Sequence, residues 1–554
     1  MYILGLGGSD HDIAAALIKD DKVISVIEEE RVTRKKYGFN SNLLLGSARK
    51  YVLGTDNLKL DDVDLIVLDD ILPKTASFTI RRNYQKVNHH LLHASSTFFP
   101  SPFEEAAILI VDNAGSLIDW NGKKGIECLT YAFGKGNKIE VIDKIIGEKY
   151  NEAQEVNGES YQTGDPENSL GYFYKIISYY CGFTFIENKG FYFTEDGKTM
   201  GLAPYGDDRY YEEVKKHVEL LNNGQIKIDL YSNKLQDYLA SIIKPEVSKE
   251  EDIKRRACIA YAGQKVLEEA LIHAANYLYE KTHCKNLCIA GGVGLNSVAN
   301  GKILMNTKFE KVFVQPASGD SGTALGAALW GYYGIQEHKR KLSDNLIMKN
   351  AYFGKEYSDD EILEALKKRP ELKYKYSENI AKDTAKLIAD GNIIGWFQGG
   401  AEYGPRALGH RSIIVNPLLP GMKDYLNARV KFREGFRPFA PSVLFEDQTK
   451  YFDIEQYTPY MLIVADVKEE MRSVIPAVTH IDGTARLQSV TKECNGIYYD
   501  LISEFKKITN ESVILNTSFN VKGEPIVETP DDAINCFSNT NIDFLAIGSY
   551  IVSK

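Results

Sequence analysis

Short runs that are apolar at every position constrain this chain more than any other feature. Leu65–Leu68, Ala106–Val111 and Leu287–Ala290 carry no polar side chain on either face. Each stops abruptly at acids or glycines: Asp69-Asp70, Asp112-Asn113-Ala114-Gly115 and Gly291-Gly292. Runs this short and uniform read as buried strands. Segments of helical spacing lie between and beyond them, Leu170–Cys181 and Ile253–Tyr279, and a small-residue helix is expected over Ala324–Tyr333. Alternating strands and helices predict an α/β protein, and such folds build their sites in loops at strand ends.

The chain opens with a strand, Tyr2–Leu6, a polar turn, Gly7–Asp12, and a second strand, Ala14–Ile18, with Val23–Ile27 following. Sugar-kinase and actin-like ATPase domains begin in this way. His89–Phe99 reads as a short helix stopped by Pro100 and Pro102. Cys128–Phe133 and Ile139–Ile145 alternate as a hairpin. The polar stretch Gln336–Asp344 is expected to be a linker, dividing the chain into 1–345 and 346–554. Beyond it, Ile393–Phe397 and Val513–Asn516 read as strands, and Met422–Val430 and Pro530–Phe537 as helices. No internal repeat is visible in the sequence.

Composition narrows the function classes. A formal net charge of −10 argues against a protein that binds nucleic acid over its whole surface. The seven cysteines lack zinc-finger spacing and point to a reducing compartment. The start MYILGLGGSDHD has no basic, apolar leader pattern. No run reaches the roughly 18 apolar residues of a membrane span. The expectation is a soluble cytoplasmic protein with neither nucleic acid nor membrane as a partner, and a homodimer is the default assembly.

His89 and His93 are four residues apart, which on a helix puts both imidazoles on one face. Asp112 follows a wholly apolar strand, at the mouth of a sheet. Asp320 lies in Ala317-Ser318-Gly319-Asp320-Ser321-Gly322, directly before the small-residue helix. Two imidazoles and two carboxylates neutralise a divalent ion and leave positions for substrate oxygens. Iron, manganese and zinc all suit these ligands, and spacing does not choose among them.

Gly291-Gly292-Val293-Gly294 follows a strand and precedes a helix, so Gly291 and Gly292 could let backbone amides approach a phosphate. The alternative is a plain tight turn. Asp196-Gly197-Lys198-Thr199-Met200-Gly201 reads as a polar glycine turn, whose Lys198 either reaches a phosphate or carbonyl or is simply solvated. Between Arg406 and Arg437 stand seven basic residues (Arg406, Arg411, Lys423, Arg429, Lys431, Arg433, Arg437) and only two acids. Glycines and prolines interleave them, which suggests structured turns forming a polyanion pocket. Arg486, Asn516 and Ser518 are further candidates for that pocket, and a basic solvated surface is the rival reading.

Together these segments resemble the O-carbamoyltransferases of the nodulation-protein-U and cephamycin type, to which tobramycin-modifying enzymes are related. The likeness runs from His11-Asp12 and Glu28-Glu29-Glu30-Arg31 to Asn516-Thr517-Ser518-Phe519-Asn520. Its most specific parts are His89-His90-Leu91-Leu92-His93-Ala94, Gly404-Pro405-Arg406-Ala407-Leu408-Gly409 with Arg411-Ser412-Ile413, and Arg437-Pro438-Phe439-Ala440-Pro441. The resemblance implies an actin-like, sugar-kinase-like N-terminal domain akin to the tRNA threonylcarbamoyl transferase. It implies a YrdC-like twisted-sheet α/β C-terminal domain.

By the same resemblance, the C-terminal domain condenses carbamoyl phosphate with ATP, accompanied by Mg(2+), to carbamoyl adenylate. The N-terminal domain passes the carbamoyl group to a small-molecule hydroxyl acceptor. It implies Fe(2+), or another divalent ion, on His89, His93, Asp112 and Asp320. It implies nucleotide and donor contacts from Arg406, Lys431, Arg437, Arg486, Asn516 and Ser518, with Lys36 touching the donor. His11, in the family's His-Asp turn, is the expected base for the acceptor hydroxyl, or else orients the adenylate. The turn before it, Gly7-Gly8-Ser9-Asp10, is shorter than in the tobramycin enzymes, so acceptor identity does not carry over. Competing readings are a tRNA threonylcarbamoyl-type or hydrogenase-maturation carbamoyltransferase, and a non-enzymatic nucleotide-binding scaffold.

Overall fold

The computed structural model describes residues 1–9, 11–38, 46–74, 78, 80–150, 154–156, 159–161, 165–188, 191–244 and 246–554. Asp10, in the turn before His11, is outside the described residues. The chain forms two compact units, Met1–Lys22 with Leu60–Ile347, and Val23–Lys59 with Met348–Lys554. The sequence boundaries, 1–345 and 346–554, did not anticipate that Val23–Lys59 joins the second unit.

The first unit holds two sheets with one pattern. In one, Tyr2–Gly7 runs antiparallel to Ala14–Lys19 and parallel to Leu65–Asp69, which is parallel to Gln85–Val87. In the other, Glu105–Val111 runs antiparallel to Lys123–Lys135 and parallel to Asn286–Ala290, which is parallel to Lys311–Val314. The duplication is one of topology, so a search of the sequence for repeats does not find it. It is the arrangement that an actin-like domain requires.

Two helices lie between these sheets. Gly322–Trp330 packs on Tyr2–Gly7 and Ala14–Lys19, His89–Phe98 packs on Glu105–Val111 and Asn286–Ala290, and the helices pack on each other. A Cβ at Gly326 would stand 2.0 Å from the Leu92 carbonyl oxygen. Small residues are therefore what lets the helices touch, and larger ones would force them apart. The apolar strand residues, such as Leu4, Ile108, Leu109 and Ile289, are buried. Each such side chain contributes about 1.5–3 kcal/mol relative to exposure.

Asp196–Gly201 is not a glycine turn: Asp196–Leu202 is a helix. It packs on the long helix Lys249–Thr282, and that packing outweighs a glycine penalty of about 1 kcal/mol.

The second unit is built on an eight-stranded sheet in the order Lys373–Tyr376, Tyr550–Ser553, Phe544–Ile547, Ile394–Phe397, Arg411–Val415, Val513–Ser518, Ala440–Leu444, Gln488–Val490. Side chains alternate between its faces. Trp396 and Ile414 join a core with Tyr498, Leu501 and Phe505. Phe397 and Ile413 join another with Phe439, Phe519 and Phe537. Val23–Lys59 attaches to this unit, with Val26 N–H donating to the Phe353 carbonyl at 3.2 Å. No helix among the described residues is long and apolar enough to cross a membrane.

Candidate active site

In the first unit, Asn88 caps the helix His89–Phe98 by accepting from Leu91 N–H. That start places His89 in the first turn and His93 one turn later, both fully buried. Their Nε2 atoms lie 3.1 Å apart. Asp112 leaves the end of Glu105–Val111, and its Oδ2 is 3.1 Å from His89 Nε2 and 3.6 Å from His93 Nε2. Asp320 precedes Gly322–Trp330, its Oδ1 3.8 and 4.0 Å from the same two nitrogens. One ligating atom from each of the four residues lies within 4.8 Å of all the others. The four residues named from sequence therefore converge.

The donor set fits a divalent cation. Two lone-pair nitrogens facing each other and two carboxylates repel one another unless a cation or protons sit among them. The protonation pattern expresses this tension. Burial opposes ionising Asp112, yet His89 and His93 hold it well below the usual carboxylate range. Burial, then Asp112, pushes Asp320 up. Burial works against charge on His89 as well, but Asp69, Asp112 and Asp320 keep its pKa well above the ordinary value. His93 Nδ1 is buried without a hydrogen-bond partner.

Two residues orient these side chains. His89 Nδ1 is 2.7 Å from Oδ2 of Asp69, which is fully buried. Donation there leaves the Nε2 lone pair directed at the cluster. Gly292 N–H donates to Asp112 Oδ1 at 2.9 Å, and Gly291 N–H to the Ser318 carbonyl at 2.9 Å. Both amides expected to meet a phosphate are thus engaged: the turn holds Asp112 instead. Asp69 was missed in the sequence, although it ends an apolar strand just as Asp112 follows one.

His11 stands beside this cluster, near enough to lower Asp320, with Asp12 Oδ2 3.1 Å from its Nδ1 and Phe193 edge-on at 5.2 Å. Lys198, on the helix Asp196–Leu202, is buried and paired with Glu195 rather than solvated.

In the second unit the basic segment brings several arginines together, a convergence that its sequence spacing could not establish. Burial first, then the positive charges of Arg406, Arg433 and Arg437, holds Arg486 well below the ordinary arginine value. Burial and Arg437 pull Arg406 down to about 10 and Arg433 to about 9. Four guanidinium groups therefore share one field. Arg437 has Glu434 at 3.9 Å, and the Arg406 Nε is buried without a hydrogen-bond partner. Arg433 belongs with the expected pocket residues, while Arg411 does not. Arg411 is fully buried, stacks 3.6 Å from the Phe397 ring centroid and donates to the carbonyls of Gln398 and Glu528.

Lys431 is buried and donates to Ser518 Oγ at 3.2 Å and to Asn520 Oδ1 at 3.0 Å. Burial, then Arg433 and Arg437, lowers its pKa well below the lysine value. Asn516 Nδ2 donates to Ala407 O, Ser442 Oγ and Gln488 Oε1, leaving its Oδ1 without a partner. Lys36 lies 4.9 Å from the Tyr37 ring centroid, and Tyr37 is felt electrostatically by Arg406.

The family described as "Carbamoyltransferase N-terminus" matches residues 2–86 and 75–329, and "Carbamoyltransferase C-terminus" matches 385–554. An uncharacterized Synechocystis protein is 34% identical, covering 100% of this chain and 97% of its own. Nodulation protein NolNO of Sinorhizobium fredii is 33% identical over 98% of this chain and 79% of its own. The 3'-hydroxymethylcephem-O-carbamoyltransferase of Streptomyces clavuligerus is 33% identical over 64% of this chain and 63% of its own. Among solved structures, full-length HypF in its phosphate- and nucleotide-bound form shares 14% identity at a TM-score of 0.41, covering 61% of this chain and 56% of that one. That likeness is too distant to bear on function.

Proposed function

The chain belongs to the carbamoyltransferase family, and we propose that it transfers the carbamoyl group in two steps, activating it with ATP in the second unit and passing it to an acceptor hydroxyl in the first. The convergence of these arginines is the observation that carries this reading. Arg406, Arg433 and Arg486 are desolvated within the field of Arg437, and the near acid is Glu434. Such a cluster attracts a polyanion, and arginine forks suit phosphate oxygens.

Carbamoyl phosphate gives up its phosphate to water, and the carbamate oxygen so exposed attacks the α-phosphorus of ATP and expels pyrophosphate. The arginines bind the phosphate oxygens and stabilise the charge that develops on them. Lys431, anchored by Ser518 and Asn520, adds a point charge, Asn516 Oδ1 and Lys36 contact the nucleotide or donor, and Mg(2+) accompanies ATP. The resulting carbamoyl adenylate carries AMP, a better leaving group than phosphate.

In the first unit the acceptor oxygen attacks the carbamoyl carbon, and AMP leaves with the electron pair of the broken bond. His11 takes the hydroxyl proton. His89, His93, Asp112 and Asp320 would hold a divalent ion, iron by family resemblance, which supplies Lewis-acid polarisation when bound. Asp69 and Gly292 fix the ligands' orientation. The C-terminal unit is proposed to be YrdC-like, the acceptor to be a sugar or a specialised metabolite, and the setting cytoplasmic.

The named relatives, a nodulation protein and a cephem carbamoyltransferase, favour a small-molecule acceptor over tRNA or hydrogenase maturation. The test is a stoichiometric assay with ATP, carbamoyl phosphate and a panel of hydroxyl compounds. One AMP, one pyrophosphate and one carbamoylated product per turnover are expected. Product formed without ATP consumption would sink the two-step reading.

A further inference from the structure

The segment Glu28–Arg31 lies early in the chain, yet it is part of the second unit, where it grips the loop that carries Arg406. The Gly404 peptide is held from both sides. Its N–H donates to Glu28 Oε1 at 2.6 Å, and its carbonyl accepts from Arg31 Nη2 at 2.7 Å. Glu28 is 6% exposed and Arg31 1%. Gly404 has φ of +106°, a conformation that strains any other residue. The far end of the loop is fixed separately, by Glu402 Oε1, which accepts from the N–H groups of Leu408, His410 and Arg411. Arg406 lies between these two anchors.

The neighbouring acids of the same motif have different tasks. Glu29 accepts from Ala48 N–H at the start of the helix Ser47–Gly54, and Glu30 accepts from Tyr37 N–H. Only Glu28 and Arg31 of this motif bond to Gly404. Their geometry leaves Glu28 Oε2 and Arg31 Nε and Nη1 buried without hydrogen-bond partners. A buried pair with spare donors and acceptors is costly as pure scaffolding, and its single shared target is the peptide two residues before Arg406.

We infer that Glu28 and Arg31 are positioning residues for the donor pocket, clamping the Gly404 peptide so that the Arg406 guanidinium is presented to the phosphate of the carbamoyl donor. This rests on the proposed function. The charged groups facing Glu28 are Arg31 and Glu30, with Gly404 N–H from the packed loop, and Arg31 also faces Glu528. Burial raises the Glu28 pKa to about 7, with Arg31 pulling the other way. A proton on Glu28 removes the charge opposite Arg31 and slackens the clamp.

The test measures carbamoyl-phosphate-dependent ATP–pyrophosphate exchange on the full chain from pH 6 to 8. For the natural protein, KM for carbamoyl phosphate should rise as pH falls through about 7. Glu28→Gln keeps an acceptor for Gly404 N–H but cannot ionise, so its KM should be high and flat across the range, by about tenfold at pH 8. Arg31→Lys keeps the charge but not the fork, and should raise KM for carbamoyl phosphate with a smaller effect on kcat. Should Glu28→Gln fail to fold, Arg31→Lys carries the test. Variants whose KM and pH profile follow the natural protein would overturn the clamp. Absence of any exchange in the natural protein would instead overturn the underlying functional reading.

Discussion

Exchanging Asp69 for asparagine asks whether the cluster in the first unit is a metal site whose ligands are held from behind. The perturbation is small in volume and removes one negative charge. Asp69 Oδ2 lies 2.7 Å from His89 Nδ1, both residues are fully buried, and Asp69 Oδ1 accepts from Ile71 N–H at 3.3 Å. The amide oxygen can keep one of these contacts but not the charge. A hydrogen bond to a charged group in such a place contributes about 1.5–3 kcal/mol. At about 1.4 kcal/mol per factor of ten, that is roughly 10–100-fold in metal affinity, the range found when such carboxylates are removed. Asp69→Ala should cost more, because it leaves the imidazole N–H buried and unpaired. The assay is competition for Fe(2+) or Zn(2+) against chelators of graded strength, read as bound metal per chain, with acceptor-free pyrophosphate exchange as a folding control. Asp69→Asn binding metal within about twofold of the natural protein would refute the argument that an outer carboxylate sets the ligand.

Three other outcomes follow from the same geometry. His93→Ala should abolish carbamoyl transfer to an acceptor while sparing pyrophosphate exchange, and a variant that transfers normally would remove the cluster from the chemistry. Arg486→Leu should lower exchange at least tenfold, as for the loss of a phosphate fork (on the order of 1.4 kcal/mol or more). Its effect on stability has the opposite sign: the folded pKa of Arg486 is depressed by burial and by Arg406, Arg433 and Arg437, so holding that charge costs folding energy at neutral pH and the ligand-free variant should melt higher. Lys144→Met should destabilise the first unit by about 3–5 kcal/mol in urea unfolding. It strands Glu127, which is fully buried and paired with Lys144, and adding Glu127→Gln should restore part of the loss.

Local patterns carried much of this molecule. The strands Tyr2–Gly7, Leu65–Asp69, Glu105–Val111 and Asn286–Ala290 follow from unbroken apolar runs, because burial on both faces leaves no place for a polar side chain. The cluster of His89, His93, Asp112 and Asp320 was legible for a related reason: His89 and His93 share a helix face, and both acids sit at element ends, where α/β folds place function. Long-range facts were not legible. Arg411 has the charge and neighbourhood of a pocket residue, but the carbonyls that claim it, Gln398 and Glu528, are remote or unremarkable in sequence. The convergence of Arg486 on Arg406, separated by 80 positions of folded chain, depends on the sheet order. Val23–Lys59 joins the second unit through contacts such as Tyr51 OH with Glu528, which no local periodicity announces. Asp196–Leu202 shows the converse failure, where glycines suggested a turn and packing against Lys249–Thr282 made a helix.

The account depends on ATP activating the carbamoyl group before any acceptor is present. Labelled pyrophosphate should therefore enter ATP when the protein is given ATP and carbamoyl phosphate alone, and should stop entering when either carbamoyl phosphate or Arg437 is removed. Label that enters at the same rate without carbamoyl phosphate, or none with it, would contradict the account.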